Sequence, residues 1–110
     1  MKKLKELIQD IEILNVSGNV KLDVSSIHLD SRKVLPNSLF VAIKGTSQDG
    51  NDFIQEAVSK GAKVIVCDTE NKSKIPNITY ILVKDGRLAL AQTAQNFYAN
   101  PSEKIKLVGV

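Results

Sequence analysis

Apolar residues fall along this chain in two rhythms, and the change of rhythm draws the fold. Leu4, Leu7, Ile8 and Ile11 recur at helical spacing, which predicts a short amphipathic helix at the start. Ile13–Val16 and Val20–Val24 flank Ser17-Gly18-Asn19, the pattern of a hairpin with its turn at the glycine. Ile27 and Leu29 alternate with polar residues in an extended stretch that ends at Asp30-Ser31-Arg32. Pro36-Asn37 reads as a turn, because proline presets one backbone angle and asparagine tolerates positive φ. Leu39–Ile43 is a nearly unbroken apolar run, as expected of a strand covered on both faces. Asp52, with Gln55 three residues on, resembles a capping box. Phe53, Ile54, Ala57 and Val58 form the apolar stripe of the helix it opens, and Gly61 suits the stop. Lys63–Cys67 and Tyr80–Val83 are further strands, joined by the polar linker Asp68–Asn77. Asp85 opens a third helix that buries Leu90, Ala94 and Phe97, with Ala91 and Tyr98 beside them. Asn100-Pro101-Ser102 ends it, and Ile105–Val110 starts another strand.

From Leu39 onward the order is strand, helix, strand, strand, helix, strand. Such alternation predicts an α/β domain with a small mixed, largely parallel sheet flanked by helices. One domain is the natural reading of 110 residues, and a chain of this size buries roughly two thirds of its unfolded surface. The single cysteine excludes an internal disulfide. No apolar run approaches the ~20 residues that span a bilayer. Met1–Glu6 lacks the apolar centre of a secretory signal, so a cytoplasmic address is expected. The net charge of +3 slightly favours an anionic ligand. The basic residues are scattered, however, and do not interleave with aromatics, so nucleic acid is not an expected partner. The lysines beside the first helix serve a segment too short for a membrane surface.

Candidate chemistry gathers in two loops. Ser31 offers one donor and two acceptor sites, and Arg32 a planar fork suited to phosphate or carboxylate. Equally, Asp30 and Arg32 could brace neighbouring loops and leave Ser31 alone to meet solvent. The run Gly45-Thr46-Ser47-Gln48-Asp49-Gly50 is not a P-loop, and no Gly-x-x-x-x-Gly-Lys-Ser/Thr pattern occurs in the chain. Its glycines and short polar residues permit close backbone approach to a ligand, and its N–H and C=O groups could match a uracil edge. A plain surface turn before a helix accounts for the same residues. His28 is the sole histidine and has no companions at metal spacing, which reads as a partly exposed bystander. Cys67 sits in an apolar strand without a base, as a small buried hydrophobe would. Phe97-Tyr98 reads as core packing. The residues alone therefore give a small α/β ligand-binding domain without a nucleophile–base pair or a metal centre.

The string Asp30–Val34, Pro36, Leu39–Gly45, Asp49-Gly50, Asp52–Ile54, Ala57 and Lys60–Ala62 resembles the N-terminal domain of the Mur ligases, ATP-dependent enzymes that build the peptidoglycan stem peptide. Asn96–Ser102 followed by Lys106–Val110 is similar to the MurE type, which adds the third amino acid. The resemblance implies a UDP-binding domain over residues 1–104, with 105–110 as the first strand of an ATP-binding central domain. It implies UDP-MurNAc-L-Ala-D-Glu as substrate, with the central and C-terminal domains as partners on the same polypeptide. ATP and Mg²⁺ serve the whole enzyme, in which ATP phosphorylates the D-glutamate carboxylate and the incoming amine displaces the phosphate. None of the ATP loop, magnesium ligands or amino-acid pocket matches a segment of this chain, so no catalytic residue is expected here.

The family's UDP contacts carry over to Leu29, against the uracil or ribose, to Ser31, bonded to the nucleotide, and to Thr46, Ser47 and Gln48, framing the uracil. Asn37-Ser38 stands where Gly-Asp is usual, and asparagine can hold the same left-handed turn. The MurF type shares the Asp30–Arg32 and Phe40–Ala42 signatures and is an alternative. A self-contained interaction module, complete at Val110, is the alternative from a different class.

Overall fold

The computed structural model describes residues 2–42, 53–69 and 75–98. Lys2–Lys3 (β1) leads into a one-turn helix, Leu4–Leu7 (α1). Then come Ile13–Ser17 (β2), Asp23–Val24 (β3), Ile27–His28 (β4) and a 3₁₀ turn, Ser31–Lys33. Ser38–Ala42 (β5), Ile54–Ser59 (α2), Ala62–Cys67 (β6), Thr79–Val83 (β7) and Gly86–Tyr98 (α3) complete the described elements. Five strands form one sheet in the order β2-β7-β6-β5-β4, and β1 pairs with β3 apart from it. The strands β4, β5, β6 and β7 are parallel, while β2 lies antiparallel on the β7 edge. This is the mixed, largely parallel sheet that the alternation of elements predicts. Among the described residues no helix is long and apolar enough to cross a membrane.

The central strands are buried on both faces, and their period of two divides the core. Leu39, Val41, Val64, Val66, Ile81 and Val83 face one way and pack with Leu4 and Leu7 of α1 and Ala89 of α3. Phe40, Ala42, Ile65, Cys67 and Tyr80 face the other way and pack with Ile54 and Ala57 of α2. The α2 helix thereby closes one side of the sheet, and α1 with α3 the other.

The hairpin expected across Ser17-Gly18-Asn19 does not form. Gly18 turns the chain with φ +106°, but away from its own strand. A Cβ there would lie 2.9 Å from the Thr79 Cα, and the Thr79 hydroxyl donates to the Asn19 carbonyl at 2.6 Å. The strand β2 instead covers the open edge of β7, and Val24 is buried beneath α1. Local alternation marks a strand without naming its partner. An isolated hairpin buries too little to compete with the edge of an apolar sheet.

The α3 helix also differs from its expected face. Asp85 caps it, accepting from the backbone N–H groups of Arg87 and Leu88 at 3.0 and 3.2 Å. Its buried line, however, is Gly86, Ala89 and Thr93, with Leu90 and Phe97 packed partly against it and Ala91 and Tyr98 exposed. Thr93 can sit on that line because its hydroxyl bonds the carbonyls of Ala89 and Leu90, at 2.7 and 3.0 Å. Asn96 fastens the helix to the end of α1 through the Leu7 and Gln9 carbonyls, at 3.0 and 3.1 Å.

The turn before β5 is locked to the end of α2. Asn37 takes the left-handed conformation expected of it, φ 61°, and its N–H donates to the Gly61 carbonyl at 2.8 Å. Gly61 has φ +114°, and a Cβ on it would stand 2.6 Å from the Pro36 Cα. Gly61→Ala is therefore expected to cost about 2–4 kcal/mol, combining left-handed strain with overpacking, and to lower the urea midpoint accordingly. A loss below about 1 kcal/mol would show that these two turns do not meet as described.

Candidate functional site

Beyond His28 the chain leaves β4 at the carboxyl end of the parallel strands, the end where open α/β sheets bind ligands. Two contacts fix β4 to the neighbouring turn. The Ser25 hydroxyl donates to the Pro36 carbonyl at 2.7 Å, and the Leu39 N–H donates to the Ser26 carbonyl at 2.9 Å. Asp30 stays extended, and its carboxylate accepts the Arg32 N–H at 2.9 Å, which caps the 3₁₀ turn. The same carboxylate receives the Arg32 side chain through Nε at 3.1 Å and Nη2 at 3.0 Å. That guanidinium, and then the backbone N–H, hold the Asp30 carboxyl at about 2, well below the usual carboxylate range. Asp30 pushes the Arg32 pKa upward in return. The pair is solvent-screened, with Arg32 80% exposed, so it shapes the turn more than it stabilises the domain.

Ser31 turns the opposite way. It is only 5% exposed, and its hydroxyl donates to Oε1 of Glu56 on α2 at 2.5 Å. Lys60, at the end of the same helix, donates to the Arg32 carbonyl at 3.1 Å. The 3₁₀ turn is thus tied to α2 at both ends. Leu29, Asp30, Ser31, Arg32, Phe53 and Glu56 line a cleft of about 550 Å³. Leu29 is 55% exposed there and supplies apolar surface along with Phe53. The arrangement offers a flat apolar wall, carboxylates that accept hydrogen bonds, and one guanidinium at the rim.

Of the residues singled out from the sequence, Leu29 and Ser31 both line this cleft. Thr46, Ser47 and Gln48 lie outside the described residues, as do Asp52 of the expected capping box and the strand Ile105–Val110. The expectation that Asp30 and Arg32 brace other loops while Ser31 meets solvent is reversed. Ser31 is the buried tie between elements, and the Asp30–Arg32 pair closes on its own turn. Glu56 escaped the sequence reading, because helical spacing sets it beside the apolar stripe without saying what that side faces, and Phe53, read only as part of that stripe, lines the cleft as well. His28 stands apart from the cleft lining, with Nε2 2.8 Å from the Ser26 hydroxyl, and burial pushes its pKa below the usual value. Cys67 is buried, with Sγ 3.7 Å from the Ile81 carbonyl oxygen. Phe97 and Tyr98 meet edge to face at 4.9 Å, but only Phe97 reaches the core. Among the described residues no three His, Cys, Asp or Glu side chains gather where they could hold a metal ion.

Comparison with known proteins gives this cleft its context. Similarity to the UDP-N-acetylmuramoyl-L-alanyl-D-glutamate–2,6-diaminopimelate ligase of Clostridium tetani is 47% identity over 110 residues, covering 98% of this chain and 23% of that protein. A ligase of the same name from Clostridium acetobutylicum is 46% identical over 108 residues, covering 98% and 22%. The chain thus spans less than a quarter of the length of these curated relatives. Among solved structures, a crystal structure of MurF from Acinetobacter baumannii superposes with a TM-score of 0.72 at 24% identity, over 86% of this chain and 20% of that one, and so speaks for the fold. MurF from Thermotoga maritima, solved with ADP, gives 0.54 at 33% identity over 64% and 16%. Residues 23–98, which include the described residues of the cleft lining, match the family described as Mur ligase family, catalytic domain, and the chain belongs to the Mur ligase family.

Proposed function

We propose that this chain is the part of a MurE-type ligase that holds the UDP end of UDP-MurNAc-L-Ala-D-Glu, in a cytoplasmic enzyme that adds 2,6-diaminopimelate as the third stem-peptide residue. The observation that carries this reading is the 47% identity, over 110 residues, to a relative bearing that name. The MurF alternative rests on structural neighbours of lower identity, 24% and 33%. The cleft supports the reading in chemical terms. Leu29 and Phe53 can lie against a flat heterocycle, Ser31 can bond the nucleoside, and the exposed Arg32 fork can meet a phosphate. Because β4 and β5 are parallel neighbours, the chain leaves both at the same end of the sheet, which would allow the segment carrying Thr46, Ser47 and Gln48 to complete the site.

Activity in this reading needs ATP and Mg²⁺, and both belong to other parts of the polypeptide. The chain lacks a P-loop pattern, and the described residues do not fit a metal ion. The role left to these residues is binding and orientation. They would hold the nucleotide handle so that the distant carboxylate reaches the bond-forming centre.

Titration with UDP, followed by NMR, is expected to move the resonances of Leu29 and Ser31 together with those of Thr46–Gln48. Stationary signals there at millimolar UDP, with movement elsewhere, would refute the site. Arg32→Ala separates phosphate binding from structure. Because its side chain is exposed and pairs with Asp30 within its own turn, the melting temperature should fall only slightly near neutral pH, where that solvent-screened pair is fully formed. Affinity for UDP should fall roughly tenfold while affinity for uridine holds, as loss of a charge-assisted bond to phosphate requires. Equal loss for both ligands would remove Arg32 from the diphosphate site.

The same variant should release the Asp30 carboxyl, whose titration midpoint would rise from about 2 toward the ordinary carboxylate range in a carbon-detected NMR titration. Since the folded pKa is the lowered one, the stabilisation from this pair is complete above the unfolded value of 3.8 and fades as pH falls toward about 2. An unchanged Asp30 midpoint in Arg32→Ala would contradict the observed fork.

A further inference from the structure

The bond between Ser31 and Glu56 has a chemical direction. A hydroxyl carries one proton, and a carboxylate only accepts, so the proton of Ser31 points at Glu56 Oε1 across 2.5 Å. Ser31 is buried, and its hydroxyl is held by that partner. What the hydroxyl presents to the cleft is then lone pairs alone. Glu56 lines the same cleft, and its carboxylate retains further acceptor sites beside them.

We infer that Glu56 is a positioning and specificity-determining residue for the nucleoside half of the substrate: by taking the only proton of Ser31, it turns that hydroxyl into an obligate acceptor. This rests on the nucleotide-binding reading above and deepens it. A diphosphate offers acceptors only, so it gains nothing from the side chain of Ser31 and is repelled by Glu56. The donors on UDP are the uracil N3–H and the ribose hydroxyls. One of these therefore meets the Ser31–Glu56 pair, and the diphosphate lies toward Arg32 at the exposed rim. Ser31 thereby reads the nucleoside, and its side chain takes no part in holding phosphate. A buried acceptor left facing an acceptor costs its lost bond and more, which makes the pair selective as well as attractive.

The test compares UDP with its N3-methyl, 2′-deoxy and 3′-deoxy analogues by calorimetry on the full-length protein. Wild type should bind at least one analogue roughly tenfold more weakly than UDP, the factor expected when a buried acceptor loses its donor. Glu56→Ala frees the Ser31 proton and should shrink that gap to about twofold or less, as should Ser31→Ala, which removes the hydroxyl. Glu56→Gln keeps an acceptor for Ser31 and should retain the gap, whereas a merely structural tie would leave the discrimination between UDP and its analogues unmoved in Glu56→Ala. Persistence of the full gap in Glu56→Ala, or the absence of any gap in a wild type that binds UDP, overturns the inference. Failure of wild type to bind UDP at all overturns the nucleotide reading itself, and the inference with it.

Discussion

Burial of β5 on both faces is the constraint from which the rest of the domain follows. Its five residues, Ser38–Ala42, are all inaccessible, and they alternate between two separate apolar clusters. A strand in that position needs a covering layer on each side, because full burial of each large side chain is worth about 1.5–3 kcal/mol. The α2 helix provides one layer and α1 with α3 the other. Parallel neighbours follow from the same requirement, since a crossover helix is what places a layer on the sheet and returns the chain to the same end.

That architecture explains why the cleft stands at the β4 end of the sheet. The edge strand β4 has only two paired residues, so its end needs support from outside the ladder. Support comes from the turn before β5, through Ser25 and Ser26, and from α2, through Glu56 and Lys60. The turn and the helix are themselves locked at Gly61 and Pro36. The lining residues Leu29–Arg32 are therefore held by elements whose positions the core sets. A surface loop becomes a preorganised wall in this way, without burying its own backbone in the sheet.

Much of this was legible in the residues. Leu39–Ala42, Val64–Cys67 and Tyr80–Val83 announce buried strands by unbroken apolar composition, and Asp85 marks the start of α3 by its capping chemistry. Asn37 and Gly61 declare left-handed turns, and both occupy them. The family pattern around Asp30–Lys33 pointed to Leu29 and Ser31, and both line the cleft. What stayed hidden was partnership at a distance. Alternation in Ile13–Val16 identifies a strand, but its pairing with β7 depends on which sheet edge lies open. The buried line of α3 includes Thr93, whose polarity masked it until the carbonyls of Ala89 and Leu90 accounted for its hydroxyl. Glu56 was invisible for a related reason, because only the packed position of α2 reveals that it faces Ser31.

The Ser31–Glu56 contact makes folding and recognition share one bond. It joins the wall of the cleft to the helix that covers Phe40, Ala42 and Ile65, so the order of that wall depends on the order of the core beneath it. A ligand that bonds this pair engages the folded arrangement and not an unfolded chain, and by mass action it must favour the native state. The Asp30–Arg32 fork is different. It spans two residues and is open to water, so its geometry can adjust to a phosphate without disturbing α2. Rigidity is thus placed where hydrogen-bond direction matters, and freedom where charge alone has to be met. The division suits the handle-binding role proposed above, in which one end of a long substrate is fixed while the other end reaches chemistry performed elsewhere.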